Sequence, residues 1–390
     1  MFTFEFGDSM PTIKERFSGL KGPAKFGGTL ASLPLHSLFS RKKQLVGLDI
    51  GSSALKLAEI LENRDGYLLS HFSRIPVEKG VIEDGVLIKP EALAEKIKIL
   101  FKDAGLSRRG IVTSLSGNSA IIKKVTLPSM EDAELRDLIR DEASKYLPFD
   151  NMDDVNFDFQ VLGANEFNPS QMEVILVAAK REVVEGFTDA IESAGLSAYI
   201  MDVDTFALET MYEANYDIDE DNIVAMINIG ASITNINVVK GSASLFTRDF
   251  ALAGNSLTEA IQAQHGVTFE AAERMKIDGP EGDDLTRKTF RESLLGYADP
   301  ICAEIVRSID YFRSISGGEN IRKALVSGGT ANLPGLAGAL AGTLGISAEV
   351  IDPFRTIEYN QKKYAPEDMQ AIGPAAAVAV GLALRRIGDK

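Results

Sequence analysis

The stretch Leu45–Ile60 carries an acid, a glycine turn and a lysine in the order Asp49, Gly51, Ser52, Ser53, Lys56. A glycine turn lets backbone N–H groups approach an anion, because no Cβ stands in the way. The Ser52 and Ser53 hydroxyls add donors, and Asp49 is an acceptor suited to a hydrated Mg2+. Lys56 adds positive charge if it points to the mouth of the turn; the alternative is a strand neighbour that faces away. A near-copy, Val224–Val239, sets Asn228 on Asp49, Gly230 on Gly51, Ser232 on Ser53 and Asn235 on Lys56, with Ala231 inside the turn and Thr234 just after it. Two such turns facing each other across a cleft would clamp a polyphosphate from both sides. A third turn, Gly328-Gly329-Thr330, stands between an apolar run and a helix-like segment, where it would pack against a flat ring. One D-x-G-x-S is a weak signal, whereas two copies in register followed by the third turn are a strong one. The chain has no G-x-x-x-x-G-K-[ST] loop, no G-x-G-x-x-G and no Ser/His/Asp arrangement with catalytic spacing.

These turns need rigid arms. Ile233–Val239 alternates and is β-branched, which predicts a strand. Ser52–Glu62 contains good helix formers, yet its match to the second copy predicts a strand there too, so both turns join hairpins. Pro90–Ala104 is expected to be helical, with Leu93, Ile97, Leu100 and Phe101 on one face and Gly105 after its end. Ile111–Leu115 and Ala120–Leu127 look like a strand pair around Ser116-Gly117-Asn118, followed by a helix capped by Ser129. Strands are expected at Val155–Leu162, Glu173–Ala179 and Ala198–Val203, and helices at Arg181–Ala194 and Thr205–Tyr212. The order of elements in Gly110–Gly195 suggests an inserted subdomain. Downstream, a third strand at Ser244–Asp249, helices from Gly254, Phe269 and Asp284, and a closing Ala/Gly-rich helix at Ala371–Ile387 are expected.

Bulk properties exclude several classes. Net charge is −15, from 41 basic and 56 acidic side chains, which argues against nucleic acid as the main partner. Residues 1–43 carry seven basic and three acidic side chains and are rich in Gly, Pro and Ser, so they read as a flexible extension. It ends in Arg41-Lys42-Lys43, read as a solvated linker in preference to a contact with an anionic membrane surface. One cysteine, Cys302, allows no internal disulfide and no thiolate cluster, and His36, His71 and His265 are scattered. No apolar run approaches the roughly 20 residues that span a bilayer, and residues 1–40 lack the compact apolar segment of a signal peptide.

The order of motifs resembles the actin-like ATPase superfamily, which includes actin, heat-shock chaperones, sugar kinases and FtsA. Leu48–Ser53 is similar to its first phosphate motif, Asn228–Ser232 to the second, and Val326–Thr330 to its adenosine motif. Glu273 and Lys276 resemble the helix pair that contacts ribose and adenine. Gly47–Glu59 and Ser327–Leu336 look most like the PilM family of type IV pilus assembly proteins, with the similarity running from about Phe39 to the C-terminus. The resemblance implies an α/β, two-lobed fold of duplicated ribonuclease H-like domains, with nucleotide between the lobes. It implies a first lobe (1A) of residues 44–109 plus 196–220, an FtsA-type 1C subdomain at 110–195, a second lobe at 221–368, and a last helix, 369–390, returning to the first lobe. It implies ATP or ADP with Mg2+, the metal held by Asp49 through water. Implied partners are the cytoplasmic N-terminal peptide of PilN, bound in a 1A/1C groove, and through it PilO, PilP, the motor ATPases and the platform protein. That role is a cytoplasmic adaptor at the inner membrane, serving pilus assembly and twitching motility. The alternatives are an FtsA-like filament or cell-division protein, and a small-molecule kinase with Asp202 and Asp204 as candidate bases, although capping the helix that follows is their ordinary role. Asn228 and Asn235 stand where the superfamily often has Asp, so nucleotide is expected to be bound well and hydrolysed slowly or not at all.

Overall fold

The computed structural model describes Phe4–Glu5 and residues 44–64, 66–149, 151–165 and 168–389. Apart from those two residues, the extension expected over 1–43 lies outside the described residues. In chain order, the dipeptide Phe4–Glu5 (β1) precedes the first glycine-turn hairpin, Val46–Ile50 (β2) and Ala54–Asn63 (β3), which Gly66–Pro76 (β4) extends. Ile82–Glu83 (β5) and Val86–Leu87 (β6) lead to the helix Pro90–Asp103 (α1), with Pro90 in its first turn and Leu93, Ile97, Leu100 and Phe101 buried. Next come Gly110–Leu115 (β7), Ile121–Pro128 (β8), Asp132–Tyr146 (α2), Val155–Ala164 (β9), Gln171–Lys180 (β10), Arg181–Ser193 (α3), Ser197–Val203 (β11) and Asp204–Asn215 (α4). The second hairpin is Ile223–Ile229 (β12) and Thr234–Lys240 (β13), continued by Ala243–Phe250 (β14). Gly254–His265 (α5), Phe269–Asp278 (α6) and Asp284–Ile315 (α7) follow, then Ile321–Ser327 (β15), Leu336–Leu344 (α8), Ser347–Val350 (β16), Glu358–Tyr359 (β17) and Pro366–Leu384 (α9).

The duplication extends from the turns to whole sheets. One sheet runs β4-β3-β2-β7-β11 through its middle, the other β14-β13-β12-β15-β16. In each, an antiparallel three-strand meander is joined on its first strand by two successive parallel strands. β17 and β1 complete the edges of the first. The helix propensity of Ala54–Glu62 is overridden because this segment lies between β2 and β4 with Leu55, Leu57, Ala58 and Ile60 fully buried. β2 and β12 are buried throughout, apart from half-buried Asn228, as strands in the middle of covered sheets must be. The last helix, α9, packs on β2, β3 and α4. It begins five residues earlier than the Ala/Gly run indicated, at Pro366.

One expected hairpin does not form. β7 pairs in parallel with β2 and β11, whereas β8 pairs with β10 in a separate three-stranded sheet, β8-β10-β9. Ile111–Leu115 is buried residue after residue, the pattern of a strand covered on both faces, while β8 has exposed positions between buried ones. A single 3-10 turn at Gly117–Ser119 redirects the chain between them. The strand pairing therefore narrows the section expected at 110–195: β7 belongs to the larger sheet, α3 packs against α1, and β8, β9 and β10 form a sheet of their own.

Candidate functional site

Both glycine turns close in the same way. The Gly51 N–H donates to Ala54 O at 3.2 Å, and the Gly230 N–H to Ile233 O at 3.0 Å. Across each hairpin the same two positions face one another, Asp49 opposite Lys56 and Asn228 opposite Asn235. In the first copy they form an ion pair, Lys56 Nζ to Asp49 Oδ2 at 2.8 Å. In the second they form a neutral bond, Asn228 Nδ2 donating to Asn235 Oδ1 at 3.1 Å. Lys56 thus sits beside the turn and lines the cleft.

All the candidate residues meet on one cleft of about 540 Å³: Asp49, Gly51, Ser52, Ser53 and Lys56 from the first sheet, Asn228, Gly230, Ala231 and Ser232 from the second, Glu273 and Lys276 from α6, and Gly328, Gly329 and Thr330. The two turns touch across it, with Ser232 Oγ 2.9 Å from Ser52 Oγ, and Asn255 Nδ2 donates to Ser232 Oγ at 3.2 Å. Gly328 has φ +89°, and a Cβ there would stand 2.2 Å from Ile229 O, so the third turn lies directly on the end of β12. Its N–H donates to Pro374 O in α9 at 2.8 Å, and Thr330 Oγ1 donates to Gly230 O at 3.0 Å. On the far wall, Lys276 Nζ lies 2.6 Å from Glu273 Oε2 and donates to Thr258 Oγ1 at 2.8 Å and Gly254 O at 3.0 Å. Met275, Leu294, Leu333 and Ile372 add apolar side chains to the lining of the cleft.

The two acids named as candidate bases are separated. Asp202 is fully buried in an ion pair with Arg385, whose Nε lies 2.6 Å from Asp202 Oδ2, and burial pushes its carboxyl upward against the pull of Arg385. Asp204 lines the cleft. It does not cap α4, whose N-cap is Val203; it accepts a hydrogen bond from Ser114 Oγ at 2.5 Å. Burial, reinforced by the neighbouring Asp49, pushes the Asp204 carboxyl up to about 8. Sequence reasoning missed Arg74, Arg291 and Asn332 on the cleft. Arg74 had a signal, since it lies opposite Lys56 in the third strand of the meander; Arg291, within the long α7, had none.

The cleft fits a nucleotide on its own chemistry. Its volume is in the usual range for small-molecule sites, its hydroxyls, glycine turns and cations suit phosphates, and its apolar side chains suit a base. For a metal, Asp49 offers one carboxylate with Oδ2 already held by Lys56, and no group of three or more His, Cys, Asp or Glu side chains converges among the described residues. A second cavity of about 240 Å³ lies between the three-stranded sheet (Gln160, Leu162, Ile175), α4 (Phe206, Glu209, Thr210, Glu213), Ser242 and Ser244 at the start of β14, and Arg385. Among the described residues no helix is long and apolar enough to cross a membrane.

Comparison with known proteins agrees with this geometry. A profile of the family described as Type IV pilus assembly protein PilM matches residues 47–387. The chain is similar to a solved structure described as the PilM-PilN type IV pilus biogenesis complex, with 31% identity, a TM-score of 0.78, and coverage of 88% of this chain and 98% of that chain. It shares its fold with the ethanolamine utilization protein EutJ from Carboxydothermus hydrogenoformans at 14% identity and a TM-score of 0.52, covering 89% of this chain and 91% of that chain. With the duplicated sheets and the paired turns, these matches place the fold among the two-lobed actin-like ATPases, and the chain belongs to the PilM family of type IV pilus assembly proteins.

Proposed function

We propose that this protein is a nucleotide-binding adaptor of the type IV pilus machine that captures the cytoplasmic N-terminal peptide of PilN. The observation that carries the nucleotide reading is the meeting of both turns on one cleft, with Ser52 and Ser232 in contact across it. The phosphates would be held by the two glycine turns, Ser52, Ser53, Ser232 and Lys56. The base would lie on the apolar wall beside Gly328, Gly329 and Thr330, with Lys276 and Glu273 toward the ribose. Asp49 is the residue that would hold a hydrated Mg2+, which would supply charge neutralisation for the phosphates. By joining the lobes, the nucleotide acts as a structural ligand: at 100 times its dissociation constant it stabilises the protein by about 2.7 kcal/mol.

The peptide reading rests on the likeness to the PilM-PilN complex. Through PilN the protein would join the PilO and PilP complex to the motor ATPases and platform protein, from the cytoplasmic side of the inner membrane. The ion pair to Arg385 removes Asp202 as a free base and disfavours the kinase alternative.

The test is twofold. Millimolar ADP or ATP with Mg2+ is expected to raise the melting temperature, and a labelled peptide of the PilN N-terminus is expected to bind in an anisotropy titration. No thermal shift with either nucleotide removes the first reading; no saturable peptide binding removes the second.

A further inference from the structure

The charge on the cleft decides what it can hold. The chain as a whole carries −15, so an anionic ligand depends on local positive charge that is not already paired. Two of the cations on the cleft are paired, Lys56 with Asp49 at 2.8 Å and Lys276 with Glu273 at 2.6 Å. Asp204, its carboxyl pushed up to about 8 by burial, is mostly uncharged at neutral pH. Arg74 and Arg291 remain. Both line the cleft, both are exposed, and neither guanidinium has an ion-pair or hydrogen-bond partner among the described residues.

The two arginines differ in setting. Arg291 stands on α7 one turn before Leu294, beside an apolar side chain of the lining. Arg74 belongs to the meander that carries the first glycine turn. Asp49 faces Lys56 across β2 and β3, and Lys56 faces Arg74 across β3 and β4. Residues directly opposite on neighbouring strands project from the same face, so Asp49, Lys56 and Arg74 form one row beside that turn. The register shift between β3 and β4 falls farther along, at Glu59–Ile60, and leaves the row intact. In the second lobe the equivalent row is Asn228, Asn235 and Asp249, which holds no cation. An anion between the two turns therefore meets its unpaired positive charge on the first-lobe side. The planar guanidinium fork matches two phosphate oxygens at once, which a lysine ammonium does not.

We propose that Arg74 is a phosphate-binding residue of the cleft, closing its guanidinium on the phosphate chain of the nucleotide beside the first glycine turn. This inference rests on the nucleotide reading above and names the residue that sets the strength of phosphate recognition. Lys56 holds Asp49 in place within the row, and Arg74 supplies the charge that Lys56 does not have to spare.

The experiment titrates a fluorescent ADP analogue, at constant Mg2+, into the full chain and into Arg74→Ala and Arg74→Lys. Arg74→Ala is expected to weaken binding about tenfold, the size of one lost charge-assisted contact. Arg74→Lys is expected to fall between, since it keeps the charge and loses the fork. The melting temperature without nucleotide is expected to stay at the wild-type value in both variants, because the side chain is exposed and holds no partner among the described residues. The second readout is salt. Between about 0.1 M and about 1 M the screening length falls from about 10 to about 3 Å, so wild-type affinity is expected to drop with salt more steeply than that of Arg74→Ala. Equal ADP affinity in wild type and Arg74→Ala overturns the assignment. So does a loss of affinity whose salt dependence matches wild type, because it marks an indirect change of shape. Absence of ADP binding to the wild-type chain instead removes the nucleotide reading itself, and the role of Arg74 with it.

Discussion

The contact between α4 and α9 gives the sharpest test of how this fold is assembled. A Cβ built at Gly381 would stand 1.7 Å from Ala207 O and 2.5 Å from Ala207 C, so the two helices meet backbone to backbone. In isolation Gly→Ala within a helix is favourable by about 1 kcal/mol. Here the new methyl requires the helices to part by well over 1 Å, against a core in which Ala207, Leu382 and Ala383 are fully buried. Overpacking costs about 1–3 kcal/mol when side chains can yield, and a backbone carbonyl yields less than a side chain. The steric cost wins, and Gly381→Ala is expected to destabilise by about 2–4 kcal/mol net. For a cooperative unit of 150–250 residues that lowers the melting temperature by roughly 4–16 °C. The control is Gly338→Ala in α8, where nothing lies within 4 Å of the new methyl and the same change is expected to raise stability slightly. Thermal melts and urea titrations of both variants decide. A Gly381→Ala melting temperature equal to or above wild type would refute the close approach of α4 and α9.

Two further outcomes follow from the charges. Burial, helped by Glu213 and opposed by Asn237 and Arg385, pushes the Glu209 carboxyl from its ordinary 4.5 up to about 8. The folded state therefore holds an extra proton between those values, and Glu209 weakens stability progressively as pH rises from about 4.5 to about 8. Glu209→Gln is expected to melt higher than wild type at pH 8.5, with the gap narrowing toward pH 5.5; a constant gap refutes the assignment. Lys56→Met leaves Asp49 unpaired at the first turn, and is expected to weaken nucleotide binding about tenfold in a fluorescence titration and to lower stability by about 1–3 kcal/mol. Unchanged nucleotide affinity would place the phosphates elsewhere.

What could be read from the sequence, and what could not, divides by the range of the interaction. The turns were legible because their chemistry lies within eight residues, and the second copy corrected the propensity of Ala54–Asn63. The pairing of β7 was not legible, because Ser116-Gly117-Asn118 imitates a hairpin turn locally while the true partners are the distant β2, from Val46, and β11, from Ser197. Buried charge pairs were hidden for the same reason: Asp202 and Arg385 are 183 residues apart and show no pattern until α9 returns to the first sheet. Asp204 was named as an acid beside a helix start, but only the folded sheet places it on the cleft while Asp202 turns away.

The asymmetry between the two hairpins bears on turnover. Each presents a facing pair at equivalent positions, but the first is Asp49–Lys56 and the second is Asn228–Asn235. Asn228 Oδ1 also accepts from Ser327 Oγ at 3.3 Å, so this amide is tied into β13 and β15. An amide held in this way orients its neighbours but takes up no proton. The loss of a positioned general base commonly costs about 10²–10⁴ in rate, or about 3–5 kcal/mol of barrier. The contacts that would hold phosphates need no such base, since they are hydroxyls, turn amides and Lys56. Binding and hydrolysis are therefore separable here, and the expected behaviour is a clear thermal shift with ATP alongside phosphate release at least a hundredfold below that of an active sugar kinase under the same conditions. Phosphate release at a sugar kinase's rate would show that another group supplies the base, and Asp204, on the same cleft, would be the first residue to replace.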